Sequence, residues 1–483
     1  MHKFIAKYGL AAHLSLLAVT PLILFPFFEP DPVSSVLLWL SLVSFLWSFL
    51  APSQIHGEQL HDSRRRVFKS VLSDPLFWVS LFLIAAAGVR WFNCGVKLVY
   101  DAETLKWSVG GVAFPLLPTG LKGSGRYEFS CVIALSVLLL ATRHSLGKAA
   151  RTAFLFSSSV MAGCAGVCAC TLVVFGQEKC VSASQCSLLD PQFVGMTFAV
   201  FVLGGVVSFS SAVERKNWFR VRPLVILALG GGFSAVVYFS PAIDIAIVSA
   251  AVVILTLVSL FYNIRRVGSA SLFRALALLS MAVFLVVLFI AFFAPPTLCD
   301  GRLGVLKGRA LFPDGYFQVR AVMAEIAARA WKGGLWLGTG INTIAFDLRF
   351  LATDADWMRL SPMQTQLTHG WWQLLAERGI VGVAFMAVPC LFVAWTYFRR
   401  LIFSFGRHGC QSVCWLAPAL VAMTVGVMFF DASLLRPDCL TAVLALISVS
   451  STSFPPPASK DTDEADENVV NGDMPMAGGL AKG

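Results

Sequence analysis

Apolar runs of about twenty residues recur along the whole chain, near 8–28, 34–51, 75–92, 127–142, 153–175, 191–212, 223–239, 245–262, 275–294, 379–398, 411–429 and 437–453. A helix that crosses a bilayer needs roughly 20 mostly apolar residues, and inside hydrocarbon its backbone must satisfy its own hydrogen bonds. The pattern therefore predicts an all-α, polytopic integral membrane protein of about twelve transmembrane helices. Composition agrees: 57% of the 483 residues are hydrophobic, 13% are charged and mean hydropathy is +0.76, which excludes an ordinary soluble domain.

The side each loop faces follows from lysine and arginine, because basic loops stay cytoplasmic. With Lys3 and Lys7 inside, every second loop should be basic. The sequence complies with Arg64, Arg65, Arg66 and Lys69; Arg143, Lys148 and Arg151; Arg215, Lys216, Arg220 and Arg222; Arg265, Arg266 and Arg274; and Arg399, Arg400 and Arg407. The short loops of opposite phase carry Lys179 alone near 176–190, none near 240–244, and Arg436 alone near 430–438. Both termini are thus expected in the cytoplasm. The net charge of +10 is read as this topology signal and not as nucleic-acid binding.

The chain is expected to divide into four parts. Residues 1–294 hold spans one to nine, with an extracytoplasmic loop at 93–126; residues 295–377 form a large extracytoplasmic loop before the tenth span; residues 378–453 hold spans ten to twelve. Residues 454–483 are polar, acidic and punctuated by Pro and Gly, which predicts a disordered cytoplasmic tail. The first apolar run has no small-residue cleavage site before Pro30-Asp31-Pro32, so it is expected to remain as an anchor.

Long loops usually carry function. Residues 93–126 mix aromatics, Gly and Pro without helical periodicity and are expected to lie along the membrane surface. In the larger loop, Tyr316 to Trp331 reads as a helix with Arg320, Ala324, Ala327 and Trp331 on one face. Gly333 to Gly340 breaks it, and Ile341 to Leu351 reads as another short helix. The stretch LTHGWWQLLAERGIVG, Leu367 to Gly382, then runs directly into the tenth span. Cys180 and Cys186 share an outer loop where oxidation is permitted. Cys164, Cys168 and Cys170 fall inside a span, where helix packing is expected rather than a metal site.

Of seven histidines, His369 alone falls outside. His369, Gln373 and Glu377 are spaced i, i+4, i+8 and form one polar stripe on a helix, with Leu374, Leu375, Trp371 and Trp372 turned to other helices or the interface. A neutral imidazole there suits a general base, because it accepts a hydroxyl proton near neutral pH. The other reading is an interfacial histidine satisfied by its loop.

The runs WKGGLWLGTGINTIAFDLRF and THGWWQLLAERGIVGVAF together resemble the signature of the O-antigen ligase and polymerase-like family of membrane glycosyltransferases. The matching positions are Arg320, Trp331, Gly338-Thr339-Gly340 with Phe346, and His369, Leu374 or Leu375, Glu377 and Gly379. The strong part covers roughly 310–395. The resemblance implies transfer of a glycan from an undecaprenyl diphosphate carrier to an acceptor hydroxyl, at the periplasmic face of a bacterial inner membrane, with inversion and without nucleotide sugar, metal or other cofactor. Its partners are the lipid-linked donor, a glycan or lipid A core acceptor, and membrane lipids. Arg320 would neutralise the diphosphate, since the guanidinium fork matches phosphate oxygens. His369 would be the base. Glu377 would orient it or cap the helix, with Gln373 and Trp331 beside the substrate. Gly338 and Gly340 would allow a tight turn or offer N–H groups to phosphate.

The similar ligases add a second arginine after a serine at the outer end of a middle span. The corresponding stretch here, Phe239 to Asp244, has none. Arg126 and Arg309 are the substitutes the sequence offers. Other classes stay open: a polymerase or protein O-glycosyltransferase of the same family; a metal-dependent lipid-linked glycosyltransferase using Glu29-Pro30-Asp31 or Asp354-Ala355-Asp356; and a twelve-helix transporter, which the scarcity of ionisable residues in mid-span argues against.

Overall fold

A long apolar run satisfies its own backbone as a helix, and every run except 275–294 carries one among the described residues. The computed structural model describes residues 2–24, 30–50, 69, 71–93, 97–101, 106–110, 124–174, 191–214, 218–240, 244–245, 247–256, 316–333, 335–339, 352–359, 370–404, 415–430 and 436–452. The run 275–294, the loop cysteines Cys180 and Cys186, the Ile341–Leu351 helix and the 454–483 tail lie outside them.

The helices are α1 (His2–Leu24), α2 (Pro30–Leu50), α3 (Pro75–Phe92), α4 (Ser124–His144), α5 (Lys148–Val174), α6 (Pro191–Glu214), α7 (Trp218–Phe239) and α8 (Ile247–Thr256). They continue with α9 (Tyr316–Gly333), α10 (Asp354–Arg359), α11 (Gly370–Ser404), α12 (Leu416–Phe430) and α13 (Pro437–Thr452). Three stretches, Asp31–Ser48, Gly125–His144 and Ala150–Leu172, are long and apolar enough to cross a membrane; most of the others are shorter apolar helices. Large apolar side chains stand at the surface of these helices, among them Trp39, Trp78 and Trp395. A water-facing surface seldom carries so many.

Among the described residues, one two-stranded antiparallel hairpin interrupts the helices. Strand β1 (Lys97–Asp101) pairs with β2 (Lys106–Gly110), with Leu98 opposite Val109 and Tyr100 opposite Trp107. The hairpin lies within 93–126, where the sequence shows no helical periodicity, and the described elements of the bundle are all helical. The segments KLVYD and KWSVG are rich in β-branched and aromatic residues, and pairing satisfies backbone groups that an irregular surface loop would leave open.

The bundle packs α5 against α1, α6 and α7, and α4 against α2, α3 and α13. Its core holds Leu14, Leu138, Phe154, Leu155, Phe198 and Phe201, all essentially inaccessible. α1 is part of this core through Leu10, Leu14 and Leu17. Where α5 crosses α7 the backbones nearly touch. A Cβ on Gly163 would meet the Leu227 carbonyl and Ala228 Cα at 2.5 and 2.6 Å, and one on Gly231 would strike the Gly163 carbonyl. Without water to drive apolar association, such close van der Waals fit is what holds helices together. The expectation that the α5 cysteines serve this packing holds only for Cys170. Cys164 and Cys168 are exposed, and Gly163 and Gly166 make the close contact instead.

Buried hydroxyls are absorbed locally. Ser15 donates to the Ala11 carbonyl at 2.8 Å, Ser159 to Leu155 at 2.8 Å and Ser208 to Gly204 at 2.8 Å, the i to i−4 bonds that let Ser and Thr sit inside apolar helices. Charges gather instead at the two ends. At one end Asp74 accepts from Arg143 Nε at 3.0 Å and lies 2.8 Å from His144 Nε2. Arg151 there donates to the Thr142 and Arg143 carbonyls that end α4, where a cation also meets the negative end of the helix dipole. The candidate site occupies the other end.

The α5–α7 contact yields a direct test. Gly231→Ala should lower the stability of the detergent-solubilised protein by about 1–3 kcal/mol, the usual cost of overpacking. Gly147→Ala, whose Cβ meets nothing within 4 Å, should leave the thermal midpoint unchanged.

Candidate functional site

Two elements of the large loop build the site against the bundle. α9 buries Val322, Met323, Ile326, Ala327 and Ala330 in a satellite core with Ala376 of α11, and Trp331 packs there against Trp372 with ring centroids 6.3 Å apart. The face expected from the spacing is therefore the packing face at Ala327 and Trp331. Arg320, about two turns before Ala327, reaches away to the end of α12 and donates to the Phe429 carbonyl. That carbonyl belongs to the last turn of α12, which has no acceptor role inside its own helix. The Nε1 of Trp331 is buried and has no partner among the described residues.

From Gly370 onward the LTHGWWQLLAERGIVG stretch does run into the tenth span, as its sequence predicts, but with a break. α11 covers Gly370 to Ser404 and loses helical geometry at Gly379, where φ is 61° and ψ is −177°. In an unbroken helix the Ile380 N–H would bond the Ala376 carbonyl and the Val381 N–H the Glu377 carbonyl. Here Ile380 N–H donates to Leu335 at 3.1 Å and Val381 N–H to Trp336 at 3.0 Å, while the Ala376 carbonyl accepts from Thr339 N–H at 2.9 Å. The turn at Leu335–Thr339 thus plugs the gap and takes up the orphaned backbone groups.

Glycine is required on both sides of this contact. Gly338 has φ 75°, and a Cβ on it would strike the backbone of Glu377 and Arg378; a Cβ on Gly379 would strike Trp336 and Gly338. The tight-turn role expected for Gly338 is what the structure has. Gly340 lies outside the described residues, as do His369 and Arg309.

The polar stripe is present as far as it is described. Gln373 Nε2 donates to Glu377 Oε1 at 3.0 Å, and Glu377 is buried. Leu374 is buried in the main core, and Trp371 is exposed beside Phe429. Helix α11 begins at Gly370, directly after His369.

Sequence reasoning misses the charges beneath this stripe. Arg378 is 8% exposed and ion-paired with Glu128 of α4, which is 1% exposed. The same Glu128 Oε1 accepts from Arg90 of α3 at 2.9 Å. Arg126 faces α2 instead, donating from Nη2 to Ser35 Oγ at 2.9 Å. The available signal is that Arg90, Glu128 and Arg378 each fall in the terminal turn of an apolar run on the sparsely charged side. An ionisable group there needs a partner or a purpose.

The acid pair Asp354-Ala355-Asp356 is not arranged as two free carboxylates. Asp356 Oδ2 accepts from the Thr353 backbone N–H at 2.8 Å and hydroxyl at 2.9 Å, while Thr353 Oγ1 accepts the Asp356 N–H at 3.3 Å. This is a capping box at the start of α10. The carboxylate also pairs with Arg329 of α9 at 2.9 Å, which pins α10 to α9. Burial opposes the charge on Asp356, but the Thr353 donors and Arg329 outweigh it and hold the carboxyl below its ordinary value.

Two outcomes follow. Gly338→Ala or Gly379→Ala should each open the plugged break, seen as faster hydrogen exchange at Thr339, Ile380 and Val381. Because the Asp356 carboxyl titrates lower when folded, its contribution is complete above the ordinary aspartate range and is lost as pH falls through the folded value. Protection of the Thr353–Arg359 amides, corrected for intrinsic rates, should therefore collapse in acid, and Asp356→Asn should reduce it at neutral pH while adding little to the loss in acid.

When the chain is compared with known proteins, no family model matches it and no curated protein matches it.

Proposed function

We propose that the chain is a membrane glycosyltransferase of O-antigen ligase type. The observation that carries the reading is the plugged break. The hydrogen bonds between Leu335–Thr339 and Ala376–Val381 bind the Gly338 turn to the Gln373–Glu377 stripe, and α9, with Arg320 and Trp331, packs on the same half-helix. This packing of the described parts of the resembling signature, Trp331, Gly338, Glu377 and Gly379, against one another supports the reading.

On this reading twelve helices cross a bacterial inner membrane with both termini in the cytoplasm, and the end carrying Arg90, Glu128 and Arg378 faces the periplasm. The phase of the basic loops supports that assignment. The Asp74, Arg143 and His144 cluster then lies at the cytoplasmic end.

The chemistry asks little of the protein because a lipid diphosphate is already a good leaving group. An acceptor hydroxyl oxygen attacks the anomeric carbon as the bond from that carbon to the diphosphate oxygen breaks, with inversion. The hydroxyl proton passes to the His369 imidazole, and undecaprenyl diphosphate leaves as the anion. Arg320 would neutralise that anion, which requires its guanidinium to turn from, or be shared with, the Phe429 carbonyl. Gln373 and Glu377, on the turns that follow His369, hold the polar stripe in register. Trp331, packed on Trp372, would stand beside the substrate.

The metal-dependent reading loses support at one of its two acid pairs, since the Asp356 carboxylate already caps α10 and pairs with Arg329. Ligase, polymerase and protein glycosyltransferase share the same carrier grip and base, and the number of glycans added per acceptor separates them.

The test is glycan transfer from an undecaprenyl diphosphate donor in membranes carrying the protein. His369→Ala should abolish transfer with normal insertion, and Arg320→Ala should lower it by about a hundredfold, the scale of losing charge-assisted contacts to the leaving group. Full transfer by His369→Ala would remove the proposed base, and strict dependence on added manganese or magnesium would replace the mechanism.

A further inference from the structure

The turn that plugs the α11 break carries its side chains outward. Leu335, Trp336 and Leu337 are consecutive large apolar residues and all three are exposed, Trp336 at 63%. Much of their backbone is already engaged: the Leu335 and Trp336 carbonyls accept from Ile380 and Val381, and the Thr339 N–H that follows donates to Ala376. A turn tied down in this way can present apolar side chains to a bilayer, where one with open amides and carbonyls would be excluded. In water the same three side chains would leave a contiguous apolar surface uncovered.

The position of the turn points to what it meets. Ile380, Ala384, Val388, Leu391 and Trp395 are exposed at i, i+4, i+8, i+11 and i+15, one apolar face along the second half of α11. The two N–H groups bonded to the turn, those of Ile380 and Val381, stand at the head of that half-helix. From there α11 continues through Arg399 and Arg400, the basic pair that the loop charges place at the cytoplasmic headgroups. The helical rise from Val381 to Arg399 is about 27 Å, and a hydrocarbon core is about 30 Å thick. With Arg399 at one edge of the core, the turn lies at the other. Tryptophan is the side chain such boundaries favour, and Lys332, exposed in the last turn of α9 just before the turn, is the cationic neighbour that interfacial segments carry.

We propose that the Leu335-Trp336-Leu337 turn is a membrane anchor, its three side chains seated in the outer leaflet where headgroups meet acyl chains. Its partner is bulk phospholipid. Because the turn is bonded to Ala376, Ile380 and Val381, its depth in the leaflet also sets the depth of the Gln373–Glu377 stripe that leads into the break. The inference rests on α11 crossing the bilayer, which is part of the reading above, and not on glycan transfer.

The experiment uses full-length protein in nanodiscs of phosphatidylethanolamine and phosphatidylglycerol, carries a photo-crosslinker as Trp336→p-benzoylphenylalanine, and reads adducts by mass spectrometry. Phospholipid adducts should form at position 336 as they do with Leu391→p-benzoylphenylalanine, whose position lies on the exposed face of α11. In a second measurement, Trp336→Asp should speed amide exchange at Thr339, Ile380 and Val381 by about tenfold or more in nanodiscs, the scale of one large apolar side chain losing its burial. Trp336→Phe should leave that exchange near wild type. Lipid adducts at 391 with none at 336 would overturn the anchor while leaving the span standing. Adducts joining two copies of the chain would overturn it in favour of a protein interface. Absence of lipid adducts at both positions would overturn the crossing of α11 as well, and unchanged exchange in Trp336→Asp would show that lipid does not hold the turn.

Discussion

The break in α11 at Gly379 is the constraint on which the site depends. A helix interrupted among apolar neighbours leaves N–H and carbonyl groups that nothing apolar can satisfy. In this chain the carbonyls of Leu335 and Trp336 and the amide of Thr339 take them up. That exchange only works if two backbones meet with no side chain between them, which is why Gly338 and Gly379 face one another, both at positive φ. Once the turn is seated, α9 is drawn onto the first half of α11 and its apolar face closes over Ala376. The seat of the Leu335–Thr339 turn is thus written in backbone hydrogen bonds rather than in charge.

Charge is arranged by the ends of the bundle. Hydroxyls in the middle fold back onto their own helices, so the interior needs few long-range polar contacts. The ion pairs lie where helices terminate: Asp74 with Arg143 and His144 at one end, Glu128 with Arg90 and Arg378 at the other. The first set clasps α3 to α4. The second ties three helices together, because the single carboxylate of Glu128 on α4 meets Arg90 of α3 and Arg378 of α11.

Much of the architecture is legible in the sequence, because a bilayer imposes one length scale and one backbone solution on every span. The apolar runs that the structure describes are helices, and the i, i+4 relation of Gln373 and Glu377 is a hydrogen bond. Elsewhere periodicity has less to say. The hairpin at Lys97–Gly110 escapes it because strands this short carry only a weak alternation. Cys164 and Cys168 are expected inward and face outward, because composition does not tell which face of a uniformly apolar helix meets its neighbour. The motif around Arg320 points to an anion and is silent on the Phe429 carbonyl that the same guanidinium reaches.

What the amino-acid sequence determined by itself is local and periodic: which of the described segments are helices, and that Gln373 and Glu377 lie along one stripe. Only the tertiary structure decided that the Gly338 turn enters the Gly379 break, and that Arg378 meets a glutamate 250 positions earlier. The physical reason is range. Helix formation follows from bonds between residues four apart, and the sequence displays that spacing openly. The pairing of an orphaned amide with a distant carbonyl, or of a buried charge with its counterion, depends on which helix ends the packing brings together.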